Sequence, residues 1–206
     1  MIKEFYGRKF LVAEEVFEPR RSTETLVSSV LENEKLNPKK RVLDLCTGSG
    51  VVAITIAKET GVTAEGIDIS QDAVKTAKIN SVNLNANADF YIMDVLKDWG
   101  NLKQSKYDVI VTNPPYWTLD KIIKNPNIVA GNPFEAFFGG KDGMKYHRYI
   151  ATAAPWFLNS GGKIYMQMSP DQIEAVKILL GNNGFEKLHV FQDSRGKKQA
   201  VSAQLV

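Results

Sequence analysis

The residues best suited to chemistry stand in one tetrapeptide, Asn113-Pro114-Pro115-Tyr116, at the end of the apolar run 107–112. Proline fixes φ, and Pro115 restricts Pro114 further. Pro115 has no N–H, so the Pro114 carbonyl sits on a stiff backbone and is free to accept a hydrogen bond from elsewhere. The Asn113 side-chain oxygen is a second acceptor, and Tyr116 offers a flat aromatic face. Two acceptors and a stacking ring suit a planar group that carries an NH₂. A stiff turn without a ligand leaves the combination unexplained.

Three carboxylates stand in comparable places. Asp44-Leu45-Cys46-Thr47-Gly48-Ser49-Gly50 follows another apolar run, and its glycines let a ligand approach the backbone and the next helix's N-terminus. Gly48-x-Gly50-x-x-Ala53 satisfies a loose dinucleotide fingerprint, a pattern that many ligand-free turns share. Asp68 lies 20 residues beyond Gly48, where a carboxylate can accept both hydroxyls of a ribose. The alternative, a charge at a helix N-terminus, is already supplied by Asp72. Asp94 can accept from an adenine amine while a neighbouring N–H, that of Val95, donates to the ring. A loop-initiating aspartate is the competing reading.

These residues need elements to place them at one edge. Residues 41–46, 62–68, 89–93, 107–112 and 162–168 read as strands. Helices are expected from Ser22 or Thr23 as cap to about Leu36, over 51–59, from Gln71 to about Leu84 behind a Ser70 cap, after Gly143, and over 171–180. Residues 3–18 read as a hairpin around Tyr6-Gly7-Arg8. Residues 117–141 show no regular element and exceed ordinary loop length, which predicts a substrate loop lined by Trp117, Phe134, Phe137 and Phe138. For the last two, core packing is an equal alternative. Two closing strands with no helix between them should pair antiparallel. The prediction is one α/β domain over 1–206: a doubly wound, mostly parallel sheet with one reversed strand and helices on both faces. Such sheets bind ligands beyond the carboxyl ends of their strands, where all the residues above fall.

Composition sets outer bounds. The chain has 206 residues, 44% apolar and 24% charged, so collagen-like, disordered and disulfide-scaffold classes are excluded. Twenty-six Lys+Arg against 23 Asp+Glu leave +3, a mild excess for a nucleic-acid binder. A single cysteine fits a reducing cytoplasm, and no stretch approaches a membrane span or a signal-peptide core.

The chain resembles the class I S-adenosylmethionine-dependent methyltransferases that modify planar amide or amine nitrogens. Asp44…Gly48-x-Gly50 is similar to their cofactor loop, Asp68 to the ribose acid, Asp94 to the adenine acid, and Asn113–Tyr116 to their catalytic motif. Within them it most resembles the release factor glutamine methyltransferases. Phe10-x-Val12…Val16…Pro19-Arg20…Thr23-Glu24, the segment Glu135–Gly143, and Asp193-x-x-Gly196 carry that resemblance. It implies a seven-stranded Rossmann-like sheet, S-adenosylmethionine as methyl donor, no metal, and a release factor as protein partner. It also implies cofactor contacts from Asp44, Cys46, Thr47, Gly48, Ser49, Gly50, Asp68, Asp94, Val95 and Asn113. Arg21-Ser22 stands where the family has Pro-Glu, and Cys46 where it has a first glycine. Bacterial members carry a helical domain ahead of the hairpin at which this sequence starts.

The chemistry so implied is an in-line displacement at an activated methyl, with Asn113 and Pro114 orienting the nitrogen and no strong base. His147 and His189 are therefore expected to be structural or exposed. An adenine methyltransferase acting on RNA or DNA would use the same turn on a flipped base. A nicotinamide oxidoreductase fits the glycine loop and leaves Asn-Pro-Pro-Tyr unused. A non-catalytic partner subunit would not need these residues intact.

Overall fold

A computed structural model of the chain describes residues 1–102 and 106–206. It begins with a hairpin, β1 (Ile2–Phe5) and β2 (Arg8–Leu11), closed by Tyr6 and Gly7 at φ 49° and 71°. Two positive φ values match the twist of a two-residue turn. The hairpin stops at Leu11, short of the expected residue 18. Val12 and Val16, four apart, bury together against Ala73, a spacing that turns the chain rather than extending it.

Helix α1 (Arg21–Asn33) is followed by β3 (Arg41–Leu45), α2 (Val51–Thr60), β4 (Thr63–Asp68), α3 (Gln71–Asn83), β5 (Ala88–Ile92) and β6 (Tyr107–Thr112). Then come α4 (Leu119–Lys124), α5 (Pro126–Val129), α6 (Lys145–Phe157), β7 (Leu158–Gln167), α7 (Ile173–Gly181), β8 (Phe185–Gln192) and β9 (Lys198–Leu205). The sheet runs β5-β4-β3-β6-β7-β9-β8. All pairs are parallel except those of β9, which is the one reversed strand.

Alternation along the central strands feeds two cores. Val42, Val109 and Val111 face α1, α2 and α3; Leu43, Leu45 and Ile110 face α6 and α7. Because both faces are covered, these strands read as unbroken apolar runs. Seven consecutive residues of α2, Val51–Ala57, are buried, and Gly61 at φ 73° ends that helix. Ser70 Oγ caps α3 by accepting from Ala73 N at 3.2 Å.

Four further expectations need correction. Neither Ser22 nor Thr23 caps α1: Arg20 holds the extended N-cap position, and both hydroxyls point to other partners. The same helix ends at Asn33 rather than Leu36, where Glu34 turns to meet Lys163 and Tyr165. Residues 117–141 are not irregular: Thr118 caps α4, Pro126 opens α5, and a 3₁₀ turn spans Phe134–Ala136. Strand β7 also begins four residues earlier than expected, pairing Leu158 with Tyr107. Among the described residues no helix is long and apolar enough to cross a membrane.

Candidate active site

The carboxyl ends of β3, β4, β5 and β6 open on one cleft of about 1650 Å³. It runs from Asp68 and Asp94 past Asn113 to Tyr116, Lys121 and Arg20.

The glycine loop is built around Asp44. Its carboxylate accepts from Thr47 Oγ1 at 2.6 Å and from Ala53 N at 3.2 Å, which ties the loop to the first turn of α2. Burial raises Asp44 from 3.8 to about 7 against the pull of those two donors. Cys46 sits at φ 59° and Gly48 at φ 56°. The first value explains why a glycine suits position 46, and Cys46 holds it against a steric cost. A β-carbon on Gly48 would meet nothing within 4 Å, so the loop leaves open cleft in front of it. One on Gly50 would stand 3.0 Å from Ala77, Ile54 and Phe90, so this glycine seats α2 against the sheet.

Asp68 accepts from Gly48 N at 2.9 Å and Ser70 N at 3.0 Å, one on each oxygen. Each oxygen keeps a lone pair for a further donor. Burial raises its pKa. Asp94 accepts from Leu96 N at 2.9 Å and meets Lys97 at 3.2 Å. The Val95 N–H beside it has no acceptor among the described residues. An open glycine turn, a carboxylate with spare lone pairs and a free N–H line one wall, as a nucleoside with an amino-acid tail requires.

The Asn-Pro-Pro-Tyr turn is held from three sides. Asn113 Nδ2 lies 3.4 Å from Thr23 Oγ1 of α1. Tyr116 OH accepts from Gln167 Nε2 at 3.2 Å, and its carbonyl accepts from Gln172 Nε2 at 3.0 Å. Burial raises the Tyr116 phenol. Neither Asn113 Oδ1 nor the Pro114 carbonyl accepts a hydrogen bond among the described residues. The Glu135–Gly143 segment passes beneath. A β-carbon on Gly143 would lie 2.5 Å from the Tyr116 carbonyl oxygen, so only glycine allows this approach.

Trp117 and Phe138 form a bridge, with Trp117 N donating to Phe137 O at 2.7 Å and Gly139 N to Trp117 O at 2.8 Å. The intervening segment leaves and rejoins the fold at one point. Trp117 and Phe137 line the cleft as expected, whereas Phe134 and Phe138 stack on each other away from it. Phe137 also packs edge-on against Phe17, so it serves as core and as wall. His147 is fully buried, donates Nε2–H to Gln167 O at 3.0 Å, and is lowered to about 4 by burial. His189 is exposed on β8. Neither histidine lines the cleft.

The family model for the methyltransferase small domain matches residues 16–196. A release factor glutamine methyltransferase of Thermodesulfovibrio yellowstonii is 38% identical over 205 residues, covering 97% of this chain and 72% of that protein. The chain belongs to the release factor glutamine methyltransferase family. A second member, from Clostridium acetobutylicum, is 36% identical over 208 residues, with 97% and 71% covered. A methyltransferase structure from Pyrococcus furiosus superposes with a TM-score of 0.72 at 16% identity, over 97% of this chain and 89% of that one, and shows the shared fold. As a member of this family the chain is a methyltransferase that uses S-adenosylmethionine.

For a release factor glutamine methyltransferase, several residues that shape the site carry no motif of their own. Gln167 and Gln172 lie on and after β7 and grip Tyr116 from the far side of the sequence. Lys121 donates to Ser169 Oγ at 2.6 Å and lies 5.3 Å over the Trp117 ring, with its pKa lowered by burial. Asn80, 1% exposed, bonds Leu11 N, Leu11 O and Ser49 O, joining hairpin to glycine loop. Only the strand-end positions gave a signal in the sequence.

Proposed function

We propose that the chain N-methylates the side-chain amide of a glutamine in a peptide chain release factor. The observation that carries this reading is the pair of acceptors, Asn113 Oδ1 and the Pro114 carbonyl, unengaged among the described residues and carried by adjacent cleft residues at the end of β6. An amide NH₂ has two hydrogens to place on two acceptors. Its lone pair is delocalised into the carbonyl, so it is a poor nucleophile until its geometry is fixed. Accepting both hydrogens turns the lone pair toward the methyl group and stabilises the positive charge that develops on nitrogen. Positioning of this kind contributes up to roughly 7–11 kcal/mol.

S-adenosylmethionine supplies a methyl on a sulfonium, an electrophile that needs no metal. Asp68 is placed to accept ribose hydroxyls, Asp94 and the Val95 N–H to hold adenine, and Asp44 to fix the loop of Cys46, Thr47, Gly48, Ser49 and Gly50 around the remainder. Tyr116, tied at its hydroxyl and its carbonyl, presents its ring to the amide plane. The segment between Trp117 and Phe138, with Lys121 on its inner wall, is the substrate loop. The proton leaves to water after transfer, which agrees with a cleft that neither histidine lines.

Labelled S-adenosylmethionine incubated with the protein and purified release factor, or with oligonucleotides, tests the reading. Methylglutamine within a Gly-Gly-Gln tripeptide is the expected product by mass spectrometry. Label confined to adenine in the oligonucleotides would overturn it.

A further inference from the structure

Helix α1 begins with two hydroxyls, Ser22 and Thr23, and uses neither as its cap. Arg20 occupies the N-cap with φ −108° and ψ 158° and makes no side-chain cap bond. A helix start that leaves nearby hydroxyls out of capping forgoes the usual side-chain cap bond, so their placement needs another account. Both are directed at the Asn-Pro-Pro-Tyr turn. Thr23, 2% exposed, lies with Oγ1 3.4 Å from Asn113 Nδ2. Ser22 Oγ accepts from Gln167 Nε2 at 3.0 Å, and the same nitrogen donates to Tyr116 OH at 3.2 Å. Gln167 is 1% exposed, and its backbone carbonyl accepts from His147 Nε2.

The direction of the Asn113 contact matters. An amide nitrogen only donates, so Thr23 Oγ1 is the acceptor in this arrangement. That leaves Oδ1 turned the other way. Flipping the Asn113 amide would put its NH₂ where Oδ1 now stands and leave the Pro114 carbonyl as the one acceptor of the pair for a substrate NH₂. We propose that the first turn of α1 is the positioning element of the active site: Thr23 sets the orientation of the Asn113 amide, and Ser22, through Gln167, sets the seat of Tyr116. Both are positioning residues that act through another side chain. The inference rests on the reading that Asn113 Oδ1 accepts from the substrate NH₂.

The test uses the full chain, labelled S-adenosylmethionine and purified release factor. Thr23→Val keeps the volume and removes the acceptor. It should lower kcat by roughly five- to tenfold, as for one lost hydrogen bond, with donor affinity and melting temperature close to wild type. Thr23→Ser should recover most of that loss. Adding Thr23→Val to Asn113→Ala should cost nothing further, because the two act as one unit. Ser22→Ala should lower kcat roughly two- to fivefold, again with donor affinity kept. The inference is overturned if Thr23→Val keeps kcat within about twofold, if Ser22→Ala leaves kcat unchanged, or if Thr23→Ser falls as far as Thr23→Val. Donor affinity falling in step with kcat would also overturn it, since that marks a general loss of structure. Asn113→Ala in parallel separates the two levels. A fully active Asn113→Ala overturns the underlying reading; an inactive one beside a fully active Thr23→Val overturns this inference alone.

Discussion

Gly139 lies so close to Tyr116 that a β-carbon on it would stand 2.7 Å from the Tyr116 Cα and 2.8 Å from the Pro115 carbonyl oxygen. Both neighbours are backbone and cannot rotate away. Gly139→Ala should therefore displace the Asn-Pro-Pro-Tyr turn itself. We expect a loss of about 1–3 kcal/mol in stability and a much larger proportional loss in turnover, with donor affinity nearly intact. Urea unfolding beside single-turnover kinetics checks this; equal activity in the variant would show that the turn tolerates the shift.

Asp68 holds Gly48 and Ser70 and keeps lone pairs toward the cleft. Asp68→Ala should weaken S-adenosylmethionine binding by roughly 10–100-fold. Calorimetric titration measures it. An unchanged dissociation constant would remove Asp68 from the binding site.

Cys46 carries φ 59°, where an L side chain crowds its own backbone by about 1–2 kcal/mol. Cys46→Gly should fold with stability within about 1 kcal/mol of wild type, since relief of strain offsets the added freedom of the unfolded chain. Cys46→Val, branched at the β-carbon, should lose both stability and donor binding. Thermal unfolding of the pair decides; a Val variant as stable as the Gly variant would count against strain at this position.

Burial raises Asp44 from 3.8 to about 7 and lowers His147 from 6.5 to about 4. A raised carboxyl binds its proton more tightly in the fold than in the unfolded chain. Its contribution is full below the unfolded value and is lost as pH rises toward 7. The lowered imidazole behaves oppositely: full above 6.5 and lost as pH falls toward 4. The two slopes are comparable and opposed across this window. Asp44→Asn should make the dependence of stability on pH more positive than in wild type, and His147→Gln should make it more negative, with Asp68, also raised by burial, contributing alike to both. Denaturant unfolding of donor-free protein across the window reads both, and slope changes of one sign in the two variants would refute the assignment.

What could be read from the sequence was what is local along the chain. The strand ends, the glycine loop, Asp68 and the Asn-Pro-Pro-Tyr turn each sit within a short run whose composition declares it. The sheet followed, because helix and strand alternate with few interruptions. The partners of the turn were hidden, since Thr23 lies 90 residues from Asn113 and Ser22 lies 145 from Gln167. Ser22 and Thr23 look like helix caps when only neighbours are considered, and they were misread for that reason. Gly139 and Gly143 were visible as glycines, but the backbone pressed against them was not. The short helices α4 and α5 escaped detection because neither is long enough to show a period.

The bridge between Trp117 and Phe138 closes the neck of the segment that rises over the cleft. The closed neck fixes where the segment leaves and rejoins the fold, and within it Asn132 Oδ1 accepts from Glu18 N and the Ile128 carbonyl from Arg20, both at 2.8 Å. A change of length between Trp117 and Phe138 would therefore pull on the stretch that leads into α1, and through it on the helix that meets Asn113.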